Sequence, residues 1–321
     1  MAYGPFDLSG KTALVTGGNG GIGLGMADAM AQSGANVCIW GTNAEKNAAA
    51  LEQLLAHGTE VEAMICDVSD EAQVEERFAD TVSRFGNLHG VFANAGVSGG
   101  REQVPFVEMT TDRWRHIVGV NLDGAFYTFR AAARHMIEHG EGGRIAGTAS
   151  LAALSGAARN EHYAATKGGM VSMIYAMAVE LARFVITVNA ILPGWIETAM
   201  TERAFNWEKF ANNVMPRIPH RRWGQPDDFG AIAVYIMSNA SSYHTGDTFL
   251  IDGGYNKFCA QVNDGRNRTV SGPPRQYPFR EHSTESVKFG KDVHIGHNWC
   301  RDCGYDWASC KRTHLDSRRL G

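Results

Sequence analysis

Short runs of apolar, β-branched residues alternate with longer segments of helical periodicity over most of this chain, from residue 11 to residue 254. The runs read TALVT, ANVCIW, VEAMIC, LHGVFANAG, RIAGTAS, ITVNAILPG and TFLIDGG. Near-continuous apolar strands belong in a sheet that is covered on both faces, and the helical segments between them supply the crossovers that parallel neighbours need. The pattern therefore predicts an α/β fold, a doubly wound, seven-stranded parallel sheet with helices on both faces.

Composition and charge limit which kinds of partner and substrate the chain is expected to bind. The chain has 321 residues, of which 44% are hydrophobic, and this is enough for a sizeable core. Its formal net charge is −4 with both signs interspersed, so no basic surface is predicted for nucleic acid or an anionic membrane. The longest apolar runs are too short to cross a bilayer, and the start MAYGPFDLSGK lacks the pattern of a signal peptide. We expect a cytoplasmic protein with a small-molecule substrate.

A glycine-rich segment, TGGNGGIG at residues 16–23, joins the first strand to the first helical segment. Gly17, Gly21 and Gly23 allow a tight turn, close approach of a pyrophosphate to the helix N-terminus, and close packing of the helix on the sheet. A tight turn without a ligand would use the same residues. Because the segment lies in a strand–helix–strand unit, the dinucleotide interpretation is favoured and the sheet is predicted to be Rossmann-like.

The spacing TGxxxGIG resembles that of the short-chain dehydrogenase/reductase family, and further motifs of that family follow in order. They are Asp67-Val68 after the third strand, NAG at residues 94–96, Val120-Asn121, the set Ser150, Tyr163 and Lys167, PGWIET after the sixth strand, and DGGY after the last. The resemblance covers nearly all of residues 8–255. It implies an enzyme that transfers a hydride between a nicotinamide cofactor and a secondary alcohol or ketone.

The resemblance assigns four catalytic residues, Ser150, Tyr163, Lys167 and Asn121. A hydride leaves an alcohol carbon only if the hydroxyl proton is also removed, and Tyr163 is the expected general acid/base. Lys167, one helical turn on, is expected to favour the phenolate and to hold the nicotinamide ribose, while Ser150 hydrogen-bonds the substrate oxygen. Asn121 is expected to anchor a water that links Lys167 to solvent. Singly, these residues could instead be a surface i,i+4 pair, a strand-end hydroxyl and a helix-kink residue.

The same motifs name the residues expected to bind the dinucleotide, and no metal is part of the predicted site. They are Gly17, Asn19, Gly21, Ile22, Gly23, Thr42, Asp67, Val68, Asn94, Ala95, Gly96, Tyr163, Lys167, Pro193, Gly194, Ile196 and Thr198.

The end of the second strand, IWGTN, bears on the choice of dinucleotide. An acid there accepts a hydrogen bond from the ribose 2′-hydroxyl and excludes NADP, but the position is Gly41, followed by Thr42. Lys46 lies nearby, whereas the arginine that many NADP-using relatives carry is missing after Gly41 and at Gly20. We expect NADP(H) to be preferred over NAD(H), although a simple turn glycine at 41 is compatible with either.

The substrate is less defined by the sequence. The aromatic residues Trp195, Phe205, Trp207 and Phe210 fall where relatives place a mobile lid, so they could line an apolar pocket or could pack the lid helices together. Polar residues near the mouth, Arg101, Glu102, Arg159 and His162, could recognise a substrate or could simply be solvated. We expect a secondary alcohol or its ketone, with a sugar-like or cyclic compound among the candidates.

One position departs from the family pattern. Relatives usually have glycine between the long Tyr163-Lys167 helix and the sixth strand, but this chain has Val185. A β-branched residue at positive φ is strained, so the chain should lose stability there unless the turn adapts.

The composition changes after residue 255, and the chain is predicted to consist of a dehydrogenase domain, 1–256, and an irregular extension, 257–321. The extension has no sustained period and resembles no part of the family, so we expect it to be non-native sequence and disordered. Cys300, Cys303, Cys310 and His314 could alternatively form a zinc site, and a partner-docking tail is a further alternative. Cys38 and Cys66 lie in strand-like runs and are predicted to be reduced core residues.

The resemblance also implies a homo-tetramer or homo-dimer, with contacts through the last strand and the two long helices that carry Asn121 and Tyr163. Two other functions remain open at this point. One is a catalytically silent dinucleotide-binding regulator or scaffold on the same fold, and the other is a metal-dependent module built on the extension. The complete set of Ser150, Tyr163, Lys167 and Asn121 favours the enzyme, because a sensor does not need it.

Overall fold

A computed structural model of the chain describes residues 4–99 and 104–257. The chain divides into two units, Met1–Val262 and Asn263–Gly321, and all the described residues belong to the first. The predicted extension beyond Lys257, with its possible zinc ligands, therefore lies outside the described residues, as do Arg101 and Glu102.

The predicted doubly wound sheet is confirmed. All its strand pairs are parallel, and the strands lie in the order β3-β2-β1-β4-β5-β6-β7. The strands are β1 (Thr12–Thr16), β2 (Asn36–Gly41), β3 (Val61–Ile65), β4 (Gly90–Ala93), β5 (Gly143–Thr148), β6 (Ile186–Pro193) and β7 (Thr248–Ile251).

The helices are mostly the crossovers that the sequence predicts. They are α1 (Gly21–Gln32), α2 (Ala44–Leu55), α3 (Glu71–Phe85), α4 (Thr111–Val118), α5 (Gly124–His139), α6 (Ala152–Ser155), α7 (Glu161–Leu181), α8 (Glu202–Phe205), α9 (Glu208–Val214) and α10 (Gly230–Met237). Shorter 3-10 turns, such as Pro226–Phe229, connect several of them.

Two apolar cores lie against the sheet. One contains Trp40 and Phe129 and includes buried residues of α3, α5 and α7, and the other contains Phe92 and Phe229 and includes buried residues of α1 and α10. This division explains why the strands are apolar on both sides, since each face of the sheet is covered. Cys38 and Cys66 are free and buried, as predicted, and burial raises the pKa of each thiol to about 12.

The long helix that is expected to carry Asn121 is interrupted. A π-helical turn, Gly119–Asp123, separates α4 from α5. Such turns widen the helix by one residue and often occur at functional sites. Here the turn contains Asn121, which is fully buried.

Val185 adopts the left-handed conformation for which the family pattern has glycine. It ends the 3-10 turn after α7 at φ 60° and ψ 27°, with 66% of its surface exposed. The turn therefore does not adapt to the valine, and the backbone strain expected at this position is present.

Within the described residues, no helix is both long enough and apolar enough to cross a membrane. The same residues contain no group of three or more His, Cys, Asp or Glu side chains arranged to hold a metal ion.

Candidate active site

The chain order of the strands reverses between β1 and β4, and a cleft of about 340 Å³ opens at the carboxyl ends of the strands there. In open α/β sheets this position is the usual ligand site. Predicted site residues that line the cleft are Gly17, Asn19, Gly21, Ile22, Asn94, Ala95, Gly96, Ser150, Tyr163, Lys167, Pro193, Gly194, Ile196 and Thr198. The cleft is also lined by Gly20, Lys46, Thr148, Ala149, Ala199, Met200 and Thr201.

The glycine turn forms one end of this cleft. Gly17 and Gly21 have positive φ values of 62° and 52°, which explains why glycine occupies both positions. A Cβ on Gly23 would lie 2.2 Å from the Gly17 carbonyl oxygen, so this glycine packs behind the turn rather than lining the cleft. At Gly20, by contrast, an added Cβ would meet open space.

The N-terminus of α1 is free to bind an anion. Its first residue is Gly21, and no side chain caps the helix. Unpaired N–H groups at a helix N-terminus favour a phosphate, and the described lining of the cleft contains two lysines and no carboxylate. The open cradle, its positive charge and its free N–H groups fit a dinucleotide.

A threonine that the sequence reasoning did not single out joins β1 to the loop after β4. Thr16 Oγ1 accepts hydrogen bonds from the backbone N–H groups of Asn94 and Ala95, each at 3.0 Å. Asn94 Nδ2 in turn donates to the carbonyl oxygens of Thr16 and Gly17, each at 3.2 Å. These bonds fix the glycine turn against the NAG motif. The signal was present, because Thr16 opens the glycine motif.

Ser150, Tyr163 and Lys167 lie together at the other end of the cleft. Ser150 follows β5, and the other two residues lie one turn apart on α7. The Lys167 Nζ atom donates to the Thr148 carbonyl oxygen at 2.7 Å and lies 5.7 Å from the centroid of the Tyr163 ring. Lys167 is 3% exposed, so the pair is not an ordinary surface i,i+4 pair.

Burial shifts the pKa values of both Tyr163 and Lys167. It raises the pKa of the Tyr163 phenol, and a hydrogen bond from Ser150 offsets part of the rise. It lowers the pKa of the Lys167 ammonium to about 8. A phenol whose pKa is raised is protonated at neutral pH, so the phenolate that Lys167 is expected to favour forms only by loss of this proton.

Asn121 lies behind the cleft and binds the loop after β4. Its Oδ1 accepts from the Val97 N–H at 2.8 Å, and its Nδ2 donates to the Val97 carbonyl at 2.9 Å and to Thr166 Oγ1 at 3.4 Å. The side chain therefore holds the π turn, the NAG loop and α7 in register. Its predicted link to a water stays a prediction.

Three other predicted dinucleotide residues do not line the cleft itself. Thr42 is exposed after β2, and Val68 is buried after β3. Asp67 accepts hydrogen bonds at Oδ1 from the N–H and hydroxyl of Ser69, at 2.9 and 2.7 Å, so its carboxylate shapes the turn before α3.

The aromatic residues after β6 pack mainly on one another. Trp195 contacts Phe210 with ring centroids 4.9 Å apart, and Phe205 stacks on Trp223 at 4.0 Å. Trp207 is 57% exposed. None of the four predicted aromatics lines the cleft, and the interpretation as packing within the lid is the one that fits.

Of the predicted polar residues at the mouth, Arg159 is exposed and has a positive φ of 62°. His162 is 2% exposed, and burial lowers its pKa. Neither lines the cleft.

Comparison with known proteins agrees with this arrangement. The profile of the family described as "Enoyl-(Acyl carrier protein) reductase" matches residues 17–256. The L-rhamnose-1-dehydrogenase of Scheffersomyces stipitis is 36% identical over 251 residues, which are 77% of this chain and 96% of that protein. The sorbose reductase of Schizosaccharomyces pombe is 36% identical over 260 residues, 78% of this chain and 97% of that protein.

Among solved structures, a gluconate 5-dehydrogenase from Burkholderia cenocepacia in complex with NADP and tartrate superposes with a TM-score of 0.75. It is 32% identical, and the match covers 79% of this chain and 98% of that one. The chain therefore belongs to the short-chain dehydrogenase/reductase family and is an NAD(P)-dependent oxidoreductase that interconverts alcohols and ketones.

Proposed function

We propose that the chain uses Tyr163 as general acid/base to interconvert a secondary hydroxyl and a ketone on a polyhydroxy, sugar-like substrate, with NADP(H) preferred over NAD(H). The observation that supports this most directly is the convergence of Ser150, Tyr163 and Lys167 at the end of the cleft opposite the glycine turn. Nicotinamide, when bound, supplies or accepts the hydride.

The side chains divide the proton chemistry between them. In reduction, the protonated Tyr163 phenol donates a proton to the carbonyl oxygen, and the Ser150 hydroxyl hydrogen-bonds that oxygen as charge develops on it. In oxidation the phenol must first lose its proton. The Lys167 ammonium, still largely charged at neutral pH with a pKa of about 8, then favours the phenolate.

The supporting groups keep these side chains in place. The Thr148 carbonyl holds Lys167, and Thr166 Oγ1 donates to the Tyr163 carbonyl oxygen at 2.8 Å. Since Asn121 bonds both the NAG loop and Thr166, we propose that it keeps the cleft wall aligned with α7. A water at this turn would give Lys167 a route for protons to solvent.

The substrate class rests on two observations. Trp195, Phe205 and Phe210 contact other aromatic rings, and neither they nor Trp207 line the cleft, so the described part of the cleft has no broad aromatic wall. Relatives that match nearly all of their own length are named for rhamnose, sorbose and gluconate. A polyhydroxy compound with one reactive carbinol fits both.

The preference for NADP(H) rests on charge. Lys46 lines the cleft near the end of β2, and no described lining residue is a carboxylate that would repel a 2′-phosphate. The Burkholderia cenocepacia relative contains NADP, which supports the proposal.

The test compares the parent with Tyr163→Phe on a panel of sugars, sugar acids and ketoses, with simple apolar alcohols as the comparison panel. Loss of the phenol should lower kcat/KM by about 10² to 10⁴. Binding of NADPH, followed by nicotinamide fluorescence, should be retained, and in the parent it should be tighter than binding of NADH. A Tyr163→Phe protein as fast as the parent would remove the mechanism. Faster turnover of apolar alcohols would remove the substrate class.

A further inference from the structure

The space above Gly41, at the end of β2, is already filled by two amide side chains. A Cβ added to Gly41 would lie 2.1 Å from Asn19 Nδ2 and 2.6 Å from Asn47 Oδ1. Cβ atoms in folded proteins essentially never lie within 3.0 Å of a non-bonded neighbour. Any side chain at position 41 must therefore displace these amides. The glycine at this position is therefore more than a turn residue.

Asn47 is the less obvious of the two. It lies in the first turns of α2, is 4% exposed, and does not itself line the cleft. Its Nδ2 donates to the carbonyl oxygens of Gly41 and Met64, at 3.2 and 3.1 Å, and its Oδ1 accepts from Asn19 Nδ2 at 2.7 Å. Both N–H groups and the carbonyl oxygen are engaged, so the orientation of the amide is fixed.

These bonds tie three separate elements together. They connect the glycine turn, which carries Asn19, to the ends of β2 and β3. Asn19 is partly exposed and lines the cleft, and one of its N–H groups is held by Asn47. The remaining N–H and Oδ1 of Asn19 are left to interact with a ligand.

We infer that Asn47 is a positioning residue for the dinucleotide, because it holds the Asn19 amide over Gly41. In NAD-specific Rossmann folds a carboxylate occupies this position and selects against a 2′-phosphate. The inference rests on the proposed function in that it explains a preference for NADP(H). A neutral amide can donate a hydrogen bond to a phosphate oxygen, which a carboxylate cannot do. Lys46, the neighbour of Asn47 in sequence, adds a positive charge to the same wall of the cleft.

The test measures binding of two adenosine fragments to the full chain, so that it does not depend on turnover. The probes are adenosine 2′,5′-bisphosphate and 5′-AMP, and the readout is the Kd of each by calorimetry. In Asn19→Ala we expect the affinity for the bisphosphate to fall by about two- to ten-fold, the range of one hydrogen bond. Asn47→Ala should produce the same loss, because Asn19 is then no longer held.

The double variant Asn19→Ala/Asn47→Ala should lose no more than either single one, since both changes remove the same interaction. Gly41→Ala is the second route to the same result, because its Cβ would lie 2.1 Å from Asn19 Nδ2 and 2.6 Å from Asn47 Oδ1 and would therefore break the hydrogen bond between the two amides. It also keeps the inference testable if Asn47→Ala does not fold. Gln53→Ala is the matched control, because it removes a 2.9 Å hydrogen bond between α2 and Asp28 without touching Asn19.

The outcomes separate this inference from the proposed function. Equal losses of affinity in Asn19→Ala and Asn47→Ala, with no further loss in the double variant, support the positioning role whichever fragment the parent prefers. A parent that binds 5′-AMP more tightly than the bisphosphate argues only against the preference for NADP(H). Additive losses overturn the inference. It is also overturned if Asn47→Ala, or Gly41→Ala where the former does not fold, binds both fragments like the parent.

Discussion

Val185 shows how one residue is held in a backbone conformation that its side chain disfavours. It lies at φ 60°, between α7 and β6, and it packs against Gly142, where an added Cβ would lie 2.6 Å from the Val185 carbonyl oxygen. Left-handed backbone costs an L-residue about 1–2 kcal/mol, and β-branching adds to this. Because the side chain is 66% exposed, it recovers little of that free energy through burial.

We therefore expect Val185→Gly to raise the free energy of unfolding by about 0.5–1 kcal/mol. The gain is smaller than the strain because glycine also adds freedom to the unfolded chain. Urea denaturation of the two proteins measures the difference. Val185→Asn should give part of the gain and Val185→Ala little of it, since asparagine tolerates this conformation and alanine does not. A glycine variant less stable than the parent would contradict the explanation.

At the scale of elements, β1 and β4 are joined at their starts by a histidine as well as by the ladder. His89 Nδ1 accepts a hydrogen bond from the Thr12 N–H at 3.0 Å, so this nitrogen must be unprotonated. Burial is the largest cause that lowers the pKa of His89. Lys11, His139 and His135 lower it further, while Glu141 opposes them.

This bond predicts a loss of stability in mild acid. The pKa of His89 is lower in the folded chain than its value of about 6.5 in the unfolded chain. As the pH falls, the unfolded chain therefore binds a proton at this histidine before the folded chain does, and unfolding becomes more favourable. The contribution of His89 to stability is complete above the unfolded pKa and falls as the pH drops toward the folded pKa. In His89→Asn, the Oδ1 atom can accept the same bond without becoming charged, so stability should decline less between pH 7.5 and 5.5.

Urea denaturation at both pH values tests the prediction. The exposed His116→Asn on α4 serves as the control, and its pH dependence should match that of the parent. An equal decline in the His89→Asn protein would show that the bond to Thr12 does not contribute to acid sensitivity.

At the scale of the whole molecule, α5 and α7 leave large apolar side chains in solvent. Phe126, Tyr175 and Val179 are 43%, 44% and 83% exposed. Exposed apolar groups on helices that cover the same face of a sheet are typical of an interface between copies of a chain. The family resemblance predicts subunit contacts through these two helices.

We expect the protein in reducing buffer to be a tetramer or dimer. Val179→Glu should reduce the number of subunits in the oligomer, because the change places a charge in the contact. Light scattering after gel filtration measures the mass directly. Leu55→Glu, on a 49% exposed residue at the end of α2, is the matched control and should assemble like the parent. A monomeric parent, or an unchanged mass in Val179→Glu, would argue against this contact.

The sequence alone was sufficient for the order of strands and helices, because apolar periodicity and turn glycines are local signals. The sequence also identifies the glycine turn, the NAG motif and the Tyr163-Lys167 pair, since each of these motifs has a fixed spacing. The expectation for Val185 rested on the family resemblance, because relatives usually have glycine there. Local pattern thus determined the fold, and the resemblance named the residues that meet in the cleft.

Only the tertiary structure decided how those residues behave. The π turn at Asn121 depends on bonds to a loop 24 residues earlier in the chain, and the Asn19–Asn47 pair spans 28 residues. The raised pKa of Tyr163 and the lowered pKa of Lys167 follow from burial among distant segments, which the spacing of the two residues does not reveal. The sequence also left open whether the aromatic residues after β6 line the cleft or pack on one another, and only the folded chain decides between the two. Each of these properties is set by neighbours that are remote in sequence, and such neighbours exist only after the chain has folded.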